Sequence, residues 1–247
     1  MRFLNTLLGA LACIASQLAP GQALAQLPDP PPEHWYGKIV RYDFIAPYAV
    51  VPPRHDGILI DTRDTARRYD VGHIPGAINL PAKQFDALAP RLLPADKHTL
   101  ILFYCDGIEC KLSHMAADDA EDLGYTNIRV YAEGFPDWFK RGNPYAISAG
   151  HLRTLIETGE AGMLIDVRDS GAYQRHHLPN ARHLPAEYFA QQAAGVLPGD
   201  KGTPLVFYCD HADARLSYAV ARQATALGYR QVMLIEGGYP AWENLAR

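Results

Sequence analysis

Phe103-Tyr104-Cys105-Asp106 recurs as Phe207-Tyr208-Cys209-Asp210, and in each copy the cysteine ends an apolar run just ahead of a helical pattern. A strand, a Cys-bearing turn and a helix start surround a sulfur with backbone N–H groups and the positive end of a helix dipole, conditions that stabilise a thiolate. The chemistry that suits such a turn is nucleophilic attack by sulfur, on an anion. Cys105 and Cys209 are therefore candidate catalytic residues. Lys111 and Arg215, six residues beyond their cysteines, are candidate cations for the incoming anion, or else solvated residues at a helix start. Ser113 and Ser217 stand at the beginning of the following helices. Cys110 separates the copies, because its counterpart is Ala214. It is close enough to Cys105 to form a loop disulfide and is a candidate resolving thiol; the alternative is a small apolar filler. No second ligand pair accompanies these cysteines at metal-site spacing, so no metal is expected.

The elements that must hold these turns repeat in register. Ile60-Asp61-Thr62-Arg63-Asp64 answers to Ile165-Asp166-Val167-Arg168-Asp169 at an offset of 105. After a one-residue gap, His73-Ile74-Pro75-Gly76-Ala77 answers to His177-Leu178-Pro179-Asn180-Ala181 at 104, as do the cysteines and the Gly134-Phe135-Pro136-Asp137-Trp138 and Gly238-Tyr239-Pro240-Ala241-Trp242 segments. Apolar runs at Gly57 to Ile60, Thr99 to Tyr104 and Ile128 to Tyr131, then Met163 to Val167, Leu205 to Tyr208 and Val232 to Ile235, alternate with helical patterns. This is the βαβ rhythm of a parallel sheet covered on both faces. Leu112 to Leu123 and Leu216 to Leu227 read as helices ending at a capping Gly, and Ser148 as the cap of a helix starting near Ala149. The fold class is α/β, with domains at 42–144 and 145–247.

Ahead of them, residues 26–41 read as a Pro-rich leader and residues 1–25 as a signal peptide. Arg2, the apolar stretch Phe3 to Leu18 and the small-x-small site Ala23-Leu24-Ala25 carry that reading. The mature protein is then expected in the periplasm or secreted, with no membrane association after cleavage. It would keep Cys105, Cys110 and Cys209, an odd number that suits reactive positions better than a disulfide scaffold. A net charge of −4 over 247 residues, with no long run of like charges, excludes a nucleic-acid footprint.

The ordered set Ile-Asp-x-Arg-Asp, His-Ile/Leu-Pro-x-Ala, Tyr-Cys turning into a helix, and Gly-Phe/Tyr-Pro-x-Trp resembles the rhodanese-like domains, twice, over nearly all of Tyr42 to Arg247. The resemblance implies a sulfurtransferase whose cysteine takes sulfane sulfur from a small anion such as thiosulfate, as a persulfide. It would pass that sulfur to a thiol or cyanide, without a cofactor. Cys209 with Arg215 is the preferred site. The loops depart from the commonest pattern of that family, in which a shorter Cys-x-x-Gly-x-Arg/Ser-Ser precedes the helix. Cys209 to Arg215 also forms a Cys-x5-Arg sequence, so a phosphatase or arsenate-reductase-like enzyme is one alternative. A redox- or sulfur-sensing module built on Cys105 and Cys110 is another. Asp61 and Asp166 are expected to anchor local structure, His73 and His177 to satisfy backbone groups, and Trp138 and Trp242 to close the cores.

Overall fold

The computed structural model describes residues 27–29, 31–210 and 214–245. The expected signal peptide, Cys13 and the His211 to Asp213 part of the second cysteine loop lie outside them. Among the described residues the strands form two five-stranded parallel sheets. The first has β1 (Ile39–Val40), β2 (Gly57–Asp61), β3 (Ile78–Asn79), β4 (Leu100–Tyr104) and β5 (Ile128–Tyr131) in the order β1-β5-β4-β2-β3. The second has β6 (Tyr145–Ile147), β7 (Met163–Asp166), β8 (Arg182–His183), β9 (Leu205–Tyr208) and β10 (Val232–Ile235) in the order β6-β10-β9-β7-β8. The register Phe103↔Val130 in one sheet recurs as Phe207↔Leu234 in the other.

Helices cover both faces of each sheet because successive strand residues point to opposite sides. In the first domain α1 (Tyr42–Ile45) and α4 (Gly134–Lys140) lie on one face, with Ile45 and Trp138 packed on Leu59, Leu102 and Tyr104. On the other, α2 (Phe85–Leu92) and α3 (Leu112–Asp122) bring Phe85, Ala89, Ala116 and Ala120 against Ile60, Ile101 and Phe103. The second domain repeats this with α5 (Ala149–Thr158) and α9 (Gly238–Leu245) opposite α7 (Phe189–Val196) and α8 (Ala214–Ala226), while α6 (Ser170–Arg175) follows β7. Trp138 is buried, whereas Trp242 is partly buried at the edge of its core. Ser148 caps α5 by accepting the His151 N–H. Gly124 closes the turn after α3 at a φ of +88° and Gly228 that after α8 at +91°.

The expectation of a linker running through residue 41 is corrected at its carboxyl end. Ile39 and Val40 pair with Val130 and Tyr131, adding an edge strand. Trp35 stacks on His114 of α3 and both rings are buried, with the Tyr36 N–H donated to His114 Nδ1 at 3.0 Å. Composition pointed away from structure here; three aromatic rings find a shared apolar site and override it.

The one-residue gap in the repeat becomes a wider helical turn at Thr65–Tyr69, which closes with i→i−5 hydrogen bonds from Tyr69 N–H to Asp64 and from Asp70 N–H to Thr65. In the second copy Tyr173 N–H reaches Asp169 by an ordinary i→i−4 bond. A π-type turn is how a helix accommodates one additional residue. Its effect is local, since Tyr69 and Tyr173 still donate to the equivalent carbonyls of Ala77 and Ala181.

The domains dock through backbone. His73 and Ala146 exchange both N–H···O bonds at 2.9 Å, the Tyr69 hydroxyl lies 2.7 Å from Glu236 Oε1, and Tyr218 donates to the Ala49 carbonyl. Docking buries His73, while its counterpart His177 is exposed. Each donates from Nδ1 to the tyrosine carbonyl four residues back.

Burial, with a smaller contribution from Arg63 and opposed by Glu236, pushes His73 down to about 4; burial and nearby His34 push His114 down to about 4. The unfolded chain titrates near the ordinary histidine value of about 6.5. Stability from these neutral rings is thus complete above that pH and is lost as pH falls through the window toward 4, by on the order of 3 kcal/mol for buried His73. Urea unfolding at pH 7.5 and at pH 5 should show this loss. His73→Gln should narrow the difference by about 2 kcal/mol, the share His73 loses by pH 5, and leave the part that belongs to His114; an unchanged pH slope in that variant would contradict the assignment.

Candidate functional site

Both cysteines sit at the carboxyl ends of central strands, where parallel α/β sheets bind ligands. Cys105 follows β4 and Cys209 follows β9, and each is 1% exposed. Their carbonyls are held from across the sheet: Phe135 N–H donates to Cys105 O at 3.0 Å and Tyr239 N–H to Cys209 O at 2.9 Å. This approach requires Gly134 and Gly238, at φ of +62° and +60°. A Cβ at either would overlap that same cysteine carbonyl. The preceding tyrosines serve the same end of the strand, for Tyr104 and Tyr208 accept the N–H of Ile74 and Leu178, both at 3.1 Å.

A buried arginine ties each loop to its strand. Arg63 clasps Asp61 through Nε and Nη2, donates to the Gly72 carbonyl at 2.7 Å, and reaches Asp106, the residue after Cys105, at 3.2 Å. Arg168 does the same with Asp166, the His176 carbonyl and Asp210. Burial works against both guanidinium charges, but hydrogen bonds and charge from Asp61 and Asp166 outweigh it, and both pKa values are raised. The aspartates thus anchor local structure.

The two sulfurs differ in state. Cys105 is joined to Cys110 in a disulfide with a Cα–Cα distance of 6.2 Å. Gly107, at a φ of +106°, folds the loop back and accepts the Cys110 N–H. Cys209 lies outside that bond, with Sγ 3.2 Å from the Oγ of buried Ser217. Ser113 is equally buried in its helix. Lys111 immediately precedes α3 and Arg215 lies in the first turn of α8, both exposed.

Among the described residues, the cavities beside the two cysteines are equivalent in position and opposite in the charge of their linings. In the first domain about 340 Å³ is lined by four cations, Arg63, Arg67, Arg68 and Lys83, with carboxylates from Asp64 and Asp106. In the second about 330 Å³ is lined by Cys209, Arg168 and three carboxylates, Asp169, Glu187 and Asp210. Arg67 and Arg68 stand within the π-type turn, and Lys83 occupies the position of Glu187. Sequence reasoning missed this cationic wall. Its signal was the single-residue gap, which falls on the segment holding the arginine pair. Among the described residues the lining of the Cys209 cavity is acidic, and Arg215 is not part of it. Among the described residues no group of three or more His, Cys, Asp or Glu side chains is placed to hold a metal.

Comparison with known proteins agrees with these motifs. The model of the rhodanese-like domain matches residues 51–141 and again 148–245. The thiosulfate sulfurtransferase GlpE of Tolumonas auensis is 30% identical over 82 residues, covering 33% of this chain and 73% of that protein. An HTH-type transcriptional regulator, Rv0324 of Mycobacterium tuberculosis, is 35% identical over 86 residues, 35% of this chain and 36% of that protein. Among solved structures, a thiosulfate sulfurtransferase from Pseudomonas aeruginosa aligns over 85% of this chain and 43% of its own length, with 19% identity and a TM-score of 0.36.

Gly238→Ala should destabilise the protein by more than about 2 kcal/mol, because the new methyl meets the Cys209 carbonyl in a left-handed backbone. Gly228→Ala, equally left-handed but in open space, should cost only about 1 kcal/mol. Denaturant midpoints of the two variants separate steric overlap from backbone strain; equal losses would refute the packing role given to Gly238.

Proposed function

From the premise that this chain belongs to the rhodanese-like family, through two copies of the domain, we propose that it is a sulfurtransferase working through cysteine persulfides. The principal site is Cys209. Its thiolate attacks the outer sulfur of a sulfane-sulfur donor such as thiosulfate; the donor's S–S bond breaks and sulfite leaves with the electron pair. A thiol or cyanide then removes the sulfur from the persulfide and regenerates the thiolate. Cys105 is a second site of the same kind, closed while it is bonded to Cys110.

The observation that carries this reading is the setting of Cys209: a buried sulfur at a strand end, beside the Ser217 hydroxyl, opening onto a cavity. Ser217 can donate to the anionic sulfur, and loop amides add to that stabilisation. Asp169, Glu187 and Asp210 around the mouth repel dianions, thiosulfate and a phosphate ester alike, so sulfur transfer is favoured over Cys-x5-Arg phosphatase chemistry by the two rhodanese-like domains and not by this charge. The three carboxylates favour an acceptor that is neutral or cationic. The proposed export fits the Cys105–Cys110 disulfide, a bond that persists in oxidising compartments.

The protein with its disulfide intact should gain one sulfur on exposure to thiosulfate, and peptide mapping should place it on Cys209. Cys209→Ser should gain none and should lose thiocyanate formation from cyanide. An undiminished sulfur gain in that variant would overturn the assignment.

A further inference from the structure

The second sulfur in the first loop is the largest chemical difference between the copies, since the counterpart of Cys110 is Ala214. It is built to meet Cys105: the loop turns at Gly107, Cys110 N–H closes onto the Gly107 carbonyl at 2.9 Å, and the two sulfurs are bonded. Access is unequal. Cys105 is buried and Cys110 is half-buried, so an external thiol meets the Cys110 sulfur first. The neighbouring cavity, with Arg63, Arg67, Arg68 and Lys83 against Asp64 and Asp106, attracts anionic sulfur compounds.

We infer that the first domain is a sulfide-releasing site, in which Cys110 discharges a persulfide on Cys105 and leaves the Cys105–Cys110 disulfide seen in the structure. The inference rests on the reading that these cysteines accept sulfane sulfur. Cys110, as its thiolate, attacks Sγ of Cys105. The bond from that Sγ to the terminal sulfur breaks, the Cys105–Cys110 bond forms, and hydrosulfide leaves with the electron pair. The sulfane sulfur is thereby reduced by two electrons to sulfide, and the two cysteine thiols are oxidised to the disulfide. A dithiol reductant, small or protein-borne, attacks Cys110 and restores both thiols while becoming a disulfide itself.

Attack on Sγ of Cys105, rather than on the terminal sulfur, follows from two facts. The disulfide shows that the loop brings Cys110 to that atom. Hydrosulfide is also a better leaving group than an alkyl thiolate, because its conjugate acid is the stronger acid. The second copy has Ala214 in place of this thiol, so its persulfide waits for an external acceptor. One donor thus has two fates, transfer at Cys209 and release as sulfide at Cys105.

The full chain carrying Cys209→Ser is reduced, freed of reductant and given one equivalent of glutathione persulfide, with no thiol added. Sulfide is trapped with monobromobimane and the protein is peptide-mapped. We expect about one sulfide per chain together with the Cys105–Cys110 disulfide, and at least about a tenfold lower release when Cys110→Ala is added, with the sulfur retained on Cys105. Cys110→Ala places in the first loop the residue the second already has, and near-native circular dichroism confirms that it folds. Equal sulfide release with and without Cys110, or a persulfide that persists on Cys105 beside a reduced Cys110, overturns the inference alone. Absence of sulfur uptake at both Cys105 and Cys209, the latter assayed in Cys105→Ser, overturns the sulfurtransferase reading and this inference with it.

Discussion

An arginine charge taken out of water governs each domain. Arg63 is held by both oxygens of Asp61, the Gly72 carbonyl and Asp106, while the Phe135 ring covers its face. A buried guanidinium with one partner missing costs about 3–5 kcal/mol, a large part of the roughly 5–15 kcal/mol that holds a domain folded. Those partners come from the end of β2, the turn before His73 and the residue after Cys105. Satisfying one side chain therefore fixes three segments against each other. Arg168 imposes the same on the second copy, which explains why Cys105 and Cys209, in different oxidation states, occupy equivalent places.

The central strands and the helices behind the cysteines were legible because they are apolar runs bounded by turns and repeated in register. β4 ends at Tyr104 and β9 at Tyr208, where the sequence reading ended them. The edge strands were not legible: Ile39–Val40, Ile78–Asn79 and Arg182–His183 contain two residues each, too few for any periodicity. Trp35 and Tyr36 were hidden by the neighbouring prolines, since composition averages over residues whose burial depends on a distant helix. At the site, both cysteines and Ser217 stood out by position. Arg67, Arg68 and Lys83 did not, because charges on short helical segments look the same whether they face solvent or a cavity.

Docking makes the copies unequal. The turn containing His73 is capped by Ala146 and Glu236 of the second domain, whereas the matching turn at His177 is exposed. Equivalent residues thus carry different burdens: one ring is part of an interface and loses its tendency to charge, the other is at the surface. The interface also reaches the second site, for Ser217 beside Cys209 lines a cavity shared with Val51, Pro53 and Gly76 of the first domain. Burial of the helix carrying Ser217 depends on the partner domain as well as on its own core.

The additional residue in the Thr65–Tyr69 turn has a consequence of phase. Each residue in an α-helix advances the side-chain direction by about 100°, so a change in residue count re-aims a segment as a substitution does not. The tyrosine anchor and the Asp-x-Arg clasp stay where they were, and only the stretch between them is rotated. Two arginines are thereby turned toward a cavity whose counterpart is lined by acids. The electrostatic sign of the site follows from that re-aimed arginine pair together with Lys83 in the place of Glu187.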